Sequence, residues 1–100
     1  MTSTADAADC AAKLKALGDS TRLAVMESLL DGPKRVGELG ELLNVEQSLL
    51  SHHLRVLRDS GMLRARRHGK AVVYALAPGM EGALRQRTLD LGCCRLSFDD

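Results

Sequence analysis

The stretch that most restricts what this chain can become is Asn44 to Gly61, NVEQSLLSHHLRVLRDSG. Leu50, Leu54 and Leu57 fall at i, i+4 and i+7, so they share one helical face. Gln47, Ser48, Ser51, His52 and Arg55 occupy the other side, short and polar at first and basic later. Gly61 can take the left-handed conformation that ends a helix. A shorter amphipathic segment, Val36 to Leu43, precedes it across a tight Asn-Val-Glu connection. Two short helices joined by so few residues, the second with a polar outer face, read as a helix-turn-helix over residues 36–60. An ordinary helical hairpin whose polar face only meets water is the plainer alternative.

The flanks extend this pattern. Residues 1–4 are small and polar and are expected to be disordered. Alanine-rich Ala5 to Leu17 predicts a helix that Gly18 stops, with Asp19 placed to cap the next. Leu23, Met26, Leu29 and Leu30 give that second helix an apolar side, and Asp31-Gly32-Pro33 closes it. Beyond Gly61 the period changes. Leu63 and Ala65, then Val72, Tyr74 and Leu76, alternate on either side of Arg66-Arg67-His68-Gly69-Lys70. This predicts a β-hairpin wing over residues 62–76 with Gly69 in its turn. Pro78 is expected to open a last helix running to about Leu91, with a Cys-containing tail at 93–100.

The expected fold is therefore mainly α within the α+β class. It is one winged helix-turn-helix domain over residues 1–100, with five helices and one β-hairpin wing. The terminal helices carry modest apolar stripes (Ala7, Ala11 and Leu14 on the first), which suits a homodimer; a monomer would bury them internally. Twofold symmetry also matches two DNA half-sites about one helical turn apart.

Charge locates the partner surface. The chain as a whole carries +1, yet Gln47 to Lys70 holds Arg55, Arg58, Arg64, Arg66, Arg67 and Lys70 against Asp59 alone, about +5. Such segregation is the footprint of a phosphate-binding surface on an otherwise acidic body. One Tyr, one Phe and no Trp argue against stacking on single-stranded bases, so the expected partner is double-stranded operator DNA. Gln47, Ser48, Ser51 and His52 are short enough to reach base edges in the major groove. Arg55, Arg66, Arg67, His68 and Lys70 are suited to phosphates or the minor groove. His53, on the helix flank, reads as a partly buried packing or hydrogen-bonding residue. A winged-helix protein-interaction module that never touches DNA is the rival from another class. No nucleophile–base constellation or phosphate loop suggests an enzyme.

No apolar run approaches the roughly 18–20 residues that span a bilayer, and MTSTADAADC lacks the features of a signal peptide. The expectation is a cytoplasmic protein with no membrane partner and with reduced thiols. Three cysteines then suit a ligand set or a redox switch better than a disulfide framework.

LKALGDSTRLAVMESL, SLLSHHLRVLRDSGML and RRHGKAVVYAL together resemble the ArsR/SmtB family of small dimeric winged-helix repressors, over roughly residues 13–78. The resemblance implies a repressor that sits on an operator and leaves when an inducer binds. Glu46 departs from it, standing where these proteins usually carry a Ser or Thr helix cap. Two of the family's inducer sites have no counterpart. Arg35-Val36-Gly37 replaces a Cys-Val-Cys motif, and residues 79–100 hold no histidine. Cys10, Cys93 and Cys94 remain, and some family members sense trivalent arsenic through cysteines near the C-terminus. Three soft thiolates suit a pyramidal As(III) or Sb(III) centre, or another thiophilic metal ion, acting as inducer and not needed for folding. Zinc would want a fourth donor, for which Asp90, Asp99 and Asp100 are poorly placed. A thiol-based redox or persulfide sensor using the same cysteines is the alternative, and Cys10 on its own could simply be a small core residue.

Overall fold

Helix boundaries follow local chemistry throughout the computed structural model, which describes residues 4–82 and 87–98. Helix α1 (Thr4–Leu17) ends at Gly18, and α2 (Ser20–Leu29) starts where the Asp19 carboxylate accepts the Arg22 backbone N–H at 3.0 Å. Helices α3 (Val36–Leu43) and α4 (Gln47–Asp59) are linked by a short turn in which Asn44 adopts a left-handed conformation. Gly61, at φ 79°, then lets the Met62 N–H reach back to the Leu57 carbonyl, which closes α4. The first helix thus begins at Thr4, inside the segment expected to be disordered; residues 1–3 lie outside the described residues.

The wing is strands β2 (Leu63–His68) and β3 (Ala71–Leu76), paired antiparallel from Leu63↔Leu76 to His68↔Ala71. A two-residue strand β1 (Lys34–Arg35) joins the far edge of β3, giving the sheet order β1-β3-β2. The inner faces of the helices meet in one core. Val25, Met26, Leu39, Leu50, Leu54, Leu57, Met62 and Leu89 are fully buried, and Leu91 nearly so.

The predicted fifth helix is corrected here: four helices occur among the described residues. β4 (Thr88–Asp90), inside the stretch expected to be helical, pairs antiparallel with β5 (Arg95–Ser97) of the expected tail, and Glu81 bridges to Leu89. Residues 83–86, including Leu84, lie outside the described residues. Gly82 passes so close to Thr88 that a Cβ on it would lie 2.9 Å from the Thr88 Cβ. Arg87, at φ 46°, leads into β4, and its guanidinium pairs with Glu27 of α2 at 2.9 Å. Dimerisation through two terminal helices is accordingly corrected too, because α1 is the only terminal helix described. None of the described helices is long and apolar enough to cross a membrane.

Asp19 supplies a pH test of this architecture. The Arg22 backbone N–H, and then the nearby His53 and Arg22 charges, hold its carboxyl below the ordinary carboxylate range. The folded state therefore favours the charged form. The resulting stability is complete above the unfolded value of about 3.9 and is lost as pH falls through the lower folded value. Urea melts followed by circular dichroism should show the advantage of wild type over Asp19→Asn at about pH 5 shrinking by about pH 3.

Candidate nucleic-acid interface and thiol cluster

Helix α4 buries Leu50, His53, Leu54 and Leu57, so its opposite side must face outward. Gln47, Ser48, His52 and Arg55 are exposed, and Ser51 is half-buried. The Ser48 hydroxyl donates to the Glu46 carboxylate, so that serine is already engaged by the residue at the helix start. Glu46 makes no side-chain bond to the backbone of the helix it precedes.

Arg64, Arg66, Arg67, His68 and Lys70 are all exposed on the wing. The start of α4 and the wing tip share one open cleft of about 470 Å³, lined by Gln47 on one side and Lys70 and Ala71 on the other. Glu38 and Glu41 of α3 also reach this cleft, the first with its carboxylate turned to the Arg35 N–H at 2.9 Å. Among the described residues, Arg58 is the one arginine of the Gln47–Lys70 segment in an ion pair, with Asp59 at 3.4 Å. Arg55, Arg66, Arg67 and Lys70 keep their charge available to a partner.

His53 is buried, with Nδ1 3.2 Å from an Arg22 guanidinium nitrogen and 3.9 Å from the Asp19 carboxylate. Guanidinium only donates, so Nδ1 accepts from Arg22 when His53 is neutral and turns its charge to Asp19 when protonated. Arg22 also donates from Nε to the Ala16 carbonyl at 2.6 Å. This one side chain therefore ties the end of α1 to the middle of α4, a role that periodicity alone does not reveal.

The three cysteines come together from opposite ends of the chain. Cys10 lies half-buried on α1, while Cys93 and Cys94 form the turn between β4 and β5. Cys10 and Cys93 are joined in a disulfide with Cα atoms 6.1 Å apart, although the sequence led to an expectation of reduced thiols. The Cys94 sulfur is exposed and free, 4.0 Å from that of Cys10 and 3.9 Å from that of Cys93. All three sulfurs lie within 4.8 Å of one another, and no histidine or carboxylate completes the group among the described residues. Asp90 is occupied elsewhere, accepting the Gly92 N–H at 2.8 Å and facing Arg95 at 3.9 Å; Asp99 and Asp100 lie outside the described residues. An all-sulfur, three-donor set fits a trigonal thiophilic ion and leaves zinc one donor short. That set exists only when the disulfide is reduced.

Residues 19–65 match the family described as bacterial regulatory protein, arsR family. The regulator NmtR of Mycobacterium tuberculosis is 43% identical over 70 residues, 70% of this chain and 58% of that protein, so the chain spans about three-fifths of that relative. The biofilm growth-associated repressor of Agrobacterium fabrum is 34% identical over 87 residues, covering 87% of this chain and 74% of the relative. The structure of HlyU from Vibrio cholerae superposes with a TM-score of 0.74 at 35% identity, over 77% of this chain and 84% of that one. A winged helix-turn-helix with an outward polar α4, a basic wing and relatives of this kind places the chain in the ArsR/SmtB family of DNA-binding transcriptional regulators.

Proposed function

We propose that this chain is a cytoplasmic, dimeric repressor that leaves its operator when Cys10, Cys93 and Cys94 bind a thiophilic ion, As(III) or Sb(III) foremost. The observation that carries this reading is the convergence of three sulfurs within 4.8 Å from residues more than 80 positions apart. Arsenous acid reacts with three thiols by forming three As–S bonds and releasing three waters, with no electrons transferred. The thiol cluster joins α1 to the β4–β5 hairpin. The exposed face of α1, including Leu14 at 48% exposure, is where a second copy would pack. Binding at the cluster therefore acts next to the surface that sets the spacing of two recognition helices. On DNA, Gln47, Ser48, Ser51 and His52 read base edges, and Arg55, Arg66, Arg67, His68 and Lys70 hold phosphates. No catalytic step is assigned to the protein.

The Cys10–Cys93 disulfide favours one second reading, a thiol redox switch. Two thiols then give two electrons and two protons to an oxidant such as a peroxide, which becomes water and alcohol, or two waters.

Fluorescence anisotropy on operator DNA separates these readings. Reduced protein should bind with an affinity that falls by orders of magnitude between about 50 and 200 mM salt. Replacing Arg55, Arg66, Arg67 or Lys70 by Gln should each lower the log–log slope by roughly 0.9. Arsenite should release the reduced protein, and an oxidant should do so only if the second reading holds. Salt-insensitive behaviour, with no preference for operator DNA, would overturn both.

A further inference from the structure

We propose that Lys13 is a positioning residue that holds the Cys93–Cys94 turn against α1 whether or not the disulfide is closed. The inference rests on the thiol-cluster reading and deepens it. Cys10 and Lys13 are three positions apart on α1 and so share a face. Leu91 and Cys93 are likewise two positions apart on the opposing turn. The Lys13 ammonium donates to the Leu91 carbonyl at 3.1 Å, a bond between residues 78 positions apart. It is steadied by Asp9, one helical turn earlier, at 3.3 Å, and its side chain is only 23% exposed.

The Leu91 peptide is held from both directions. Its carbonyl takes the Lys13 bond, while its N–H donates to the Cys94 carbonyl at 2.9 Å. The Leu91 side chain is buried at 2% exposure. The peptide that Lys13 grips is therefore part of the turn that carries both cysteines. Among the described residues, this is the side-chain bond between α1 and the turn that does not involve sulfur. When the disulfide opens, Lys13 remains to keep Cys10 within reach of Cys93 and Cys94, which raises the effective concentration of one thiol at the others.

The test equilibrates the full-length protein with glutathione redox buffers, without DNA or arsenite, and measures the Cys10–Cys93 population by mass spectrometry. Lys13→Met should lower the effective concentration of the pair roughly tenfold, moving the potential up by about 30 mV for this two-electron couple. Lys13→Arg, which keeps a cationic donor, should stay close to wild type, and Lys13→Gln should lie between. If Lys13→Met does not fold, the Gln and Arg variants supply the same comparison. A potential for the Met or Gln variant equal to that of wild type would overturn the positioning role. The measurement is independent of operator binding, so a protein that ignores arsenite on DNA but shows the Lys13 shift refutes the sensing reading alone.

Discussion

Cys94→Ser protein, fully reduced, is expected to stay on its operator at an arsenite concentration that releases wild type. Cys94 is the sulfur that the disulfide does not use, yet it lies 4.0 and 3.9 Å from the other two. Its loss leaves two thiols and removes one of three As–S bonds. A coupling of about 3 kcal/mol between ion and DNA corresponds to a roughly 150-fold loss of operator affinity, and most of that response should vanish. Cys93→Ser and Cys10→Ser should lose it as well. The variants differ under oxidant. Cys94→Ser keeps the Cys10–Cys93 pair and should respond to peroxide as wild type does, whereas Cys10→Ser should be deaf to both treatments. Parallel anisotropy titrations with arsenite and peroxide give the answer. Release of Cys94→Ser by arsenite at wild-type concentrations would contradict a three-sulfur site.

Leu54→Ala should be among the most damaging single truncations in α4, beside those of the equally buried Leu50 and Leu57. Leu54 is fully buried on the inner side of α4, in the same core cluster as Val25, Met26, Leu39, Leu50 and Leu57. Removing its three outer carbons from such a site costs about 2–5 kcal/mol, through lost burial and the cavity left behind. A domain of this size has only about 5–15 kcal/mol in total, so the variant should be marginal at 37 °C. Leu54→Met, nearly equal in volume, should cost under about 1.5 kcal/mol. Urea denaturation of the reduced proteins measures both. A cost for Leu54→Ala well under 1 kcal/mol would mean that α4 does not pack in this core.

How much the sequence discloses depends on how far apart the cooperating residues lie. The stripe Leu50, Leu54, Leu57 and the alternation of Val72, Tyr74 and Leu76 are local patterns, and α4 and β3 follow them. The Asp19 cap is equally local. The hairpin β4–β5 is not. Met80, Leu84 and Leu91 fall at spacings that mimic a helical stripe. Met80 and Leu91 are in fact buried from an irregular segment and a strand end, and Leu84 lies outside the described residues. Gly82, tight against Thr88, and Arg87, left-handed, signal a chain that reverses, but each is meaningful only with its long-range partner known. Strand β1 is two residues long, too short to show alternation, and exists because Lys34 and Arg35 meet Tyr74 and Val73. The cysteine trio is readable as a set of soft donors. Its closure of Cys10 on Cys93, and the Lys13 bond beside it, depend on a hairpin that periodicity hides.

The bond from Cys10 to Cys93, 83 positions on, turns nearly the entire polypeptide into a covalent ring that encloses every residue proposed to contact DNA. Tethering so long a loop removes unfolded-chain entropy worth on the order of 4–5 kcal/mol. Oxidation therefore makes the domain harder to unravel at the same moment as it uses up two of the sulfurs, and reduction hands back a looser molecule. Under the proposed function, durability and sensing share one bond, so whatever breaks that link readies the three sulfurs for an ion and leaves a less stable fold together.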